Sequence, residues 1–304
     1  MFRFQLIFIL LLFTACATRG EKLRAKYSFP AKKIIPVEFI SQTEYHCAPS
    51  TLTMLIHHLG LPNTLVQVTD MLYTPDAKGT FQNDVLAATR RLGLIAIPVK
   101  KLKNLMTEIN NENPVLIFQN LGLSWIPKWH YALVTGYNLD KNQMILHTGE
   151  MRNFPMKIST FERIWSRVDD WGLIIVKPGT IPATSTEEDM IASTAGLENA
   201  GQLDLAITSY EKILTKWKES LGALVGLGNI FYKKDDYNKS QAYLKQATTL
   251  HPKAAGAWYN YALVLYADNK MKEAKLAASK AVEYAESQMI DVYKNNLGPI
   301  LNSK

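Results

Sequence analysis

The chain has 304 residues, 47% hydrophobic and 20% charged, with 34 Lys and Arg against 27 Asp and Glu for a formal net charge of +7. That is ordinary globular composition, long enough for two domains. The lysines are scattered as Lys32-Lys33, Lys100-Lys101-Lys103 and Lys233-Lys234, a solvated surface that excludes a nucleic-acid signature.

The opening MFRFQLIFILLLFTACATRG carries Arg3, an apolar run from Leu6 to Phe13, and small residues at Thr14, Ala15 and Cys16. The run is too short to span a bilayer as a helix and reads as a secretory signal over residues 1–15. Phe13-Thr14-Ala15-Cys16 resembles the bacterial lipoprotein processing box. The resemblance implies cleavage before Cys16, lipid on Cys16, and a tether over residues 16–34. Ala17, in place of an aspartate, favours the outer membrane, with the protein working in the periplasm. Of two cysteines the lipid takes one, which excludes a disulfide framework and leaves Cys47 as a free thiol in an oxidising compartment. Such a thiol is either retained for chemistry or buried and inert.

Residues 35–178 mix short strands and helices. The segment VEFI at 37–40 reads as a strand, Pro49 to Leu59 as a helix ended by Gly60, and Asn83 to Arg91 as a helix capped by Asn83 or Asp84. LIAIPV follows as a strand, LKNLMTEI as a helix and PVLIFQ as a buried strand. Tyr131 to Tyr137 and Gln143 to His147 alternate around an Asn/Asp/Lys turn, which is a hairpin. Trp125 and Trp129, flanking WIPKWHY, either wall a cleft or pack.

Cys47 stands at the opening turn of the first of these helices, where unpaired N–H groups and the dipole favour a thiolate. Pro49 fits that turn because its missing N–H is not needed there. Of the six histidines, His46 points away from its neighbour, His57 and His58 lie off the apolar face, and His251 sits in a later loop. His130, opening a hairpin strand, is the candidate base, since a rigid strand end can present an imidazole to a helix terminus. Gln42 can donate its amide to an oxyanion beside the Cys47 N–H. With His130 close by, Cys47 is expected to be a thiolate near neutral pH, such thiols having pKa values of ~3.5 to 7.5 against ~8.5 for a free one. No HExxH or CxxC is present, so neither a metal nor a cofactor is expected.

The stretch KPGTIPATSTEED, residues 177–189, marks a change to purely helical pattern, with a linker at 179–188. From residue 189 the sequence repeats every 34 residues: Met190, Leu224 and Trp258; Ala206, Ser240 and Ala274; Tyr210, Leu244 and Ala278; Ile213, Ala247 and Ala281. With Leu227, Gly228, Phe231, Tyr237 and Pro252, the middle copy resembles a tetratricopeptide repeat. Residues 189–304 are expected to hold three repeats and a terminal helix broken near Gly298 and Pro299. The array either binds a peptide or protein partner on its concave face or only packs against the first domain.

Gln42 with Cys47, His130 opening HYALVTGY, and the strand after it resemble the papain-like peptidases that process bacteriocin leaders, family thirty-nine of the cysteine peptidases. They are closer still to lipoprotein relatives with trailing tetratricopeptide repeats. The likeness extends through KGTFQNDVLAATRRLGL, NPVLIF and FERIWSRVDDWGLIIVKP. It implies an α+β papain-like cysteine peptidase domain followed by an all-α repeat domain, with Cys47 as nucleophile, His130 as base and Gln42 as oxyanion donor. Ala48 replaces the glycine that usually follows the cysteine. The family's orienting Asp-Pro pair falls on Thr148-Gly149, and a threonine hydroxyl supports an imidazolium less than a carboxylate does. If residues 130 and 150 pair, Thr148 and Glu150 share the face of His130; a shift of one brings His147 and Gly149 there instead. Two functions follow: a membrane-anchored periplasmic thiol peptidase or amide hydrolase whose repeats present the substrate, or an inactive scaffold lipoprotein.

Overall fold

The computed structural model describes residues 18–42, 46–72, 79–123 and 125–303. The signal segment 1–15 and the lipid acceptor Cys16 lie outside the described residues.

Helix α1 (Arg19–Tyr27) starts at a Thr18–Glu21 capping box, as Ser/Thr followed three residues later by Glu favours. It leads into β1 (Lys32–Ile34). Residues 18–34, which the sequence suggests as a tether, are docked on the domain. Leu23 is buried, Arg19 pairs with Glu162 at 2.7 Å, and Leu139 N–H donates to Ala31 O at 2.7 Å.

Next come helices α2 (Cys47–His58), α3 (Leu65–Leu72) and α4 (Gln82–Arg91). Helix α2 begins two residues before Pro49, whose place in the opening turn removes no needed N–H. Helix α4 begins just ahead of the expected caps, and Asp84 at its third position accepts the Phe81 N–H at 3.1 Å. Then follow β2 (Ile95–Pro98), α5 (Leu102–Asn110), β3 (Val115–Asn120), β4 (Trp129–Asn138), β5 (Gln143–Thr148), β6 (Met151–Lys157), α6 (Ile158–Ser166) and β7 (Gly172–Val176). The strands form one antiparallel sheet in the order β2-β7-β3-β4-β5-β6, with β1 alongside the far end of β4.

The segment at 37–40 is not a strand. Val37 is held there by a side chain: His147, only 1% exposed, has Nδ1 3.1 Å from the Asn153 N–H, which leaves Nε2–H to donate to Val37 O at 3.2 Å.

The helical half comprises α7 (Glu187–Asn199), α8 (Leu203–Lys216), α9 (Leu221–Lys233), α10 (Tyr237–Leu250), α11 (Ala255–Ala267) and α12 (Met271–Glu283). These are three helical hairpins at the period read from the sequence. Their recurring small residues have a steric cause. A Cβ on Gly228 would come within 2.5 Å of Leu244 Cγ, and one on Gly226 would run into the Tyr210 ring. Ala206, Ser240, Ala274, Ala247 and Ala281 are all fully buried. The last turns, α13 (Ile290–Asn296) and α14 (Gly298–Leu301), close the end by burying Leu297 and Ile300 against Ala274 and Ala278.

The two halves share apolar core. One buried cluster runs from Leu23 through the sheet to Met190, Tyr210 and Phe231. Ser193 Oγ on α7 donates to Ala96 O on β2 at 2.7 Å, and the Thr184 N–H reaches the buried Glu108 carboxylate at 2.5 Å.

Candidate active site

The position of Cys47 follows from strand parity. Phe118 N–H points toward β7, donating to Trp171 O at 3.2 Å, so the odd-numbered residues of β3 turn their backbone groups to β4. Gln119 and His130 are therefore a hydrogen-bonded pair, and the next N–H of β4, that of Tyr131, points to the β5 side. Strand β5 last pairs with β4 at Leu133↔His147, so that N–H has no ladder partner. It donates to the Cys47 sulfur, as do the N–H groups of Ala48 and Cys47 itself. The thiol at the start of α2 is thus docked beside the residue that follows His130.

Continuing the Leu133↔His147 register sets residue 130 across from residue 150, which puts Thr148 on the face of His130. His130 Nε2 lies 2.8 Å from Thr148 Oγ1, and Thr148 is 7% exposed. With Thr148 accepting Nε2–H, Nδ1 carries the lone pair and can take a proton. His147 faces the other way, edge-on to Phe39 at 5.3 Å, and both its nitrogens are engaged. Glu150 is exposed in the β5–β6 turn.

Gln42 is 6% exposed. Its Oε1 accepts the Gly149 N–H at 2.8 Å, which fixes the amide so that Nε2 donates to Thr51 Oγ1 at 2.9 Å. Thr51 Oγ1 in turn donates to Cys47 O at 2.7 Å. One Nε2 proton is used on Thr51, and the other has no partner among the described residues. Gly149 has φ +57 and gives its N–H to Gln42, and a proline can do neither. The Thr-Gly pair in place of Asp-Pro is therefore a rebuilt turn that orients the glutamine as well as the histidine. The sequence reading missed Thr51, although it stands one helical turn after Cys47, and missed the Tyr131 N–H, which depends on where β5 leaves the sheet.

Electrostatics differ from the sequence expectation. Burial pushes the Cys47 thiol above its ordinary value, and the three N–H groups aimed at the sulfur offset only part of that. Burial, aided by the like charge of Lys128, pulls His130 down to about 4. At neutral pH the resting pair is a neutral thiol and a neutral imidazole, because the helix terminus is itself desolvated.

An aromatic wall covers the sheet face opposite His130, because Phe118, Trp129 and Tyr131 alternate with Gln119 and His130 along the strands. Phe118 stacks on Trp129 at 5.5 Å and tilts against Tyr131 at 4.6 Å, with Trp171 edge-on to both. Trp129 lines this wall with 54% of its surface exposed, whereas Trp125 projects from the β3–β4 turn, 76% exposed.

The helix-and-sheet domain thus carries a thiol at a helix start, a histidine at a strand start and a glutamine amide just upstream. Residues 34–170 match the Peptidase_C39 like family, and residues 225–287 match a tetratricopeptide repeat. The chain thus has an N-terminal helix-and-sheet domain that resembles C39 peptidases, followed by helices of tetratricopeptide-repeat type. No curated protein matches the sequence. Similar solved structures include a putative C39-like peptidase from Bacillus anthracis, 16% identical over 48% of this chain and 98% of that one, TM-score 0.41. Another is a double glycine motif protease from an AMS/PCAT transporter in complex with the leader peptide, 19% identical over 47% and 93% of the two chains, TM-score 0.36. A third is MamA 41-end from Desulfovibrio magneticus RS-1, 23% identical over 38% of this chain and 64% of that one, TM-score 0.34. The match spans under two thirds of that MamA chain, and 63% of a double mutant of MamA RS-1.

Proposed function

We propose that the protein is a thiol peptidase or amide hydrolase, anchored by lipid on Cys16 to the periplasmic face of the outer membrane, with repeats that hold a peptide or protein. The observation that carries the hydrolase reading is the Cys47 thiol beside the Tyr131 N–H, one residue along the strand from His130, whose Nε2 lies 2.8 Å from Thr148 Oγ1. In the proposed step the Cys47 S–H proton passes to His130 Nδ1 as sulfur bonds to the scissile carbonyl carbon. The carbonyl π pair moves to oxygen, where the free Gln42 Nε2–H meets it. Nδ1–H then protonates the leaving amine as the C–N bond breaks, and water regenerates the thiol by the reverse sequence. A pair that rests neutral transfers the proton during attack rather than before it.

The test is hydrolysis of a diverse peptide pool followed by mass spectrometry. Wild type is expected to yield defined fragments and Cys47→Ala none; identical digests from both overturn the reading.

The anchor is supported by the Arg3 and Leu6–Phe13 pattern ending at Cys16. Fatty-acid labelling is expected in wild type and absent in Cys16→Ser. Partner binding is supported by a cleft of about 400 Å³ between α7 and α9, lined by Glu187, Glu188, Ile191, Ala192 and Gly222. A second reading, an inactive scaffold, is favoured by the raised thiol and by Thr148 where the family has a carboxylate.

A further inference from the structure

Gln119 and Asn120 are the polar end of an otherwise apolar strand, and Gln119 pairs directly with His130. Directly opposed residues of an antiparallel pair project from the same face, with Cα atoms about 5.5 Å apart in a hydrogen-bonded pair. Gln119 is 0% exposed, yet neither its Oε1 nor its Nε2 has a hydrogen-bond partner among the described residues. A buried amide with both polar atoms unsatisfied is unfavourable enough that a hydrophobic residue of similar size would stabilise the fold better. Its neighbour across the ladder is the one histidine placed to act as a base. His130 is flanked by Thr148 on the β5 side and by Gln119 on the β3 side, and the thiol proton must arrive between them.

We infer that Gln119 is a positioning residue that supports the protonated form of His130, its amide oxygen turning toward the ring when the imidazolium forms. This assignment deepens the thiol-hydrolase reading and rests on His130 being the base there. Thr148 accepts one N–H but carries no negative charge, so an imidazolium would otherwise face burial and Lys128 without a compensating acceptor. An amide dipole left unsatisfied in the resting state is available at that moment, and it does not fix charge on His130 beforehand. Among the described residues the charged group that acts on His130 is Lys128, before β4, and the nearest titratable group on α2 is Cys47, beside the Tyr131 N–H. Neither provides a carboxylate hydrogen-bonded to the ring.

The test is an NMR titration of His130 in the full-length protein, assigned by its loss in His130→Asn, alongside alkylation of Cys47 by iodoacetamide at pH 7. Gln119→Glu should raise the His130 midpoint by at least about one unit, by placing a carboxylate opposite the ring. Gln119→Leu should slow alkylation about tenfold, the scale of one lost hydrogen bond to a charged group, without lowering the unfolding midpoint. Gln119→Met serves if the leucine variant does not fold. An unmoved His130 midpoint in Gln119→Glu, or wild-type alkylation in both apolar variants, overturns the assignment. A wild type that cleaves no peptide while His130 responds to residue 119 overturns the peptidase reading and leaves this one standing.

Discussion

His130 and Thr148 meet at 2.8 Å across the β4–β5 edge, ring nitrogen to hydroxyl, and a hydroxyl that accepts Nε2–H there leaves Nδ1 open to a proton. Thr148→Ala removes the acceptor for Nε2–H and lets the proton migrate to Nδ1, where it blocks uptake from Cys47. Turnover should fall by about tenfold, the scale of one buried hydrogen bond. Thr148→Asp should raise turnover and move the acidic limb of the pH profile upward, as an added carboxylate favours the imidazolium. Steady-state rates between pH 4 and 8 check both; an unchanged limb in Thr148→Asp contradicts the contact's role.

Gly149 is expected to be as sensitive as its neighbour, for a different reason. Gly149→Pro removes the N–H that orients Gln42 and demands a negative φ where the turn has +57. Gly149→Ala keeps the N–H and bears only the strain of a left-handed backbone, about 1 kcal/mol. Turnover should therefore be lost in the proline variant and largely kept in the alanine variant. Equal loss in both would mean that strain, and not the Gln42 contact, governs the site.

Stability should depend on pH through His130. Its imidazole is neutral in the fold above about 4, whereas in the unfolded chain it takes a proton below its ordinary 6.5. Between those values the unfolded state binds more protons, so stability falls as pH falls, by about 3 kcal/mol in total, and the loss is complete below the folded value. Urea unfolding at pH 7 and pH 4 checks this against His130→Gln. The variant should lose less stability on acidification than wild type, and parallel losses would count against a buried neutral imidazole.

In the repeats, Gly228→Ala sets a Cβ within 2.5 Å of Leu244 Cγ. Overpacking of that kind costs about 1–3 kcal/mol, and Leu244→Val in the same chain should recover part of it. Thermal unfolding of the single and double variants measures the coupling; additive losses would show that the two side chains do not meet.

Much of this was legible in the sequence, for identifiable reasons. The 34-residue columns predicted the repeat interiors because Ala206, Ser240 and Ala274 must sit where helices nearly touch. The alternation in Tyr131–Tyr137 and Gln143–His147 gave the hairpin, and the 130–150 pairing gave Thr148 once the register was chosen. What local pattern could not supply was the supply of partners. The strand expected at 37–40 is absent because a histidine side chain, His147, takes the carbonyl of Val37. The thiolate expected at Cys47 gave way to a neutral thiol because burial of the helix start outweighs its N–H groups. The unsatisfied amide of Gln119 can be recognised only when every neighbour is in place.

The central claim, that Cys47 attacks a carbonyl with His130 as base, is tested most directly by trapping the nucleophile covalently. A panel of peptidyl chloromethyl ketones would be incubated with wild type, His130→Ala and Cys47→Ala at pH 7, and adducts located by mass spectrometry of intact protein and its digest. A thioether on Cys47 of folded wild type, formed as sulfur bonds to the methylene carbon and chloride leaves, much diminished in His130→Ala and absent from Cys47→Ala, is the result predicted here. Cys47 that stays unmodified in the folded protein, or that reacts equally well without His130, would contradict the claim and leave the domain as a scaffold.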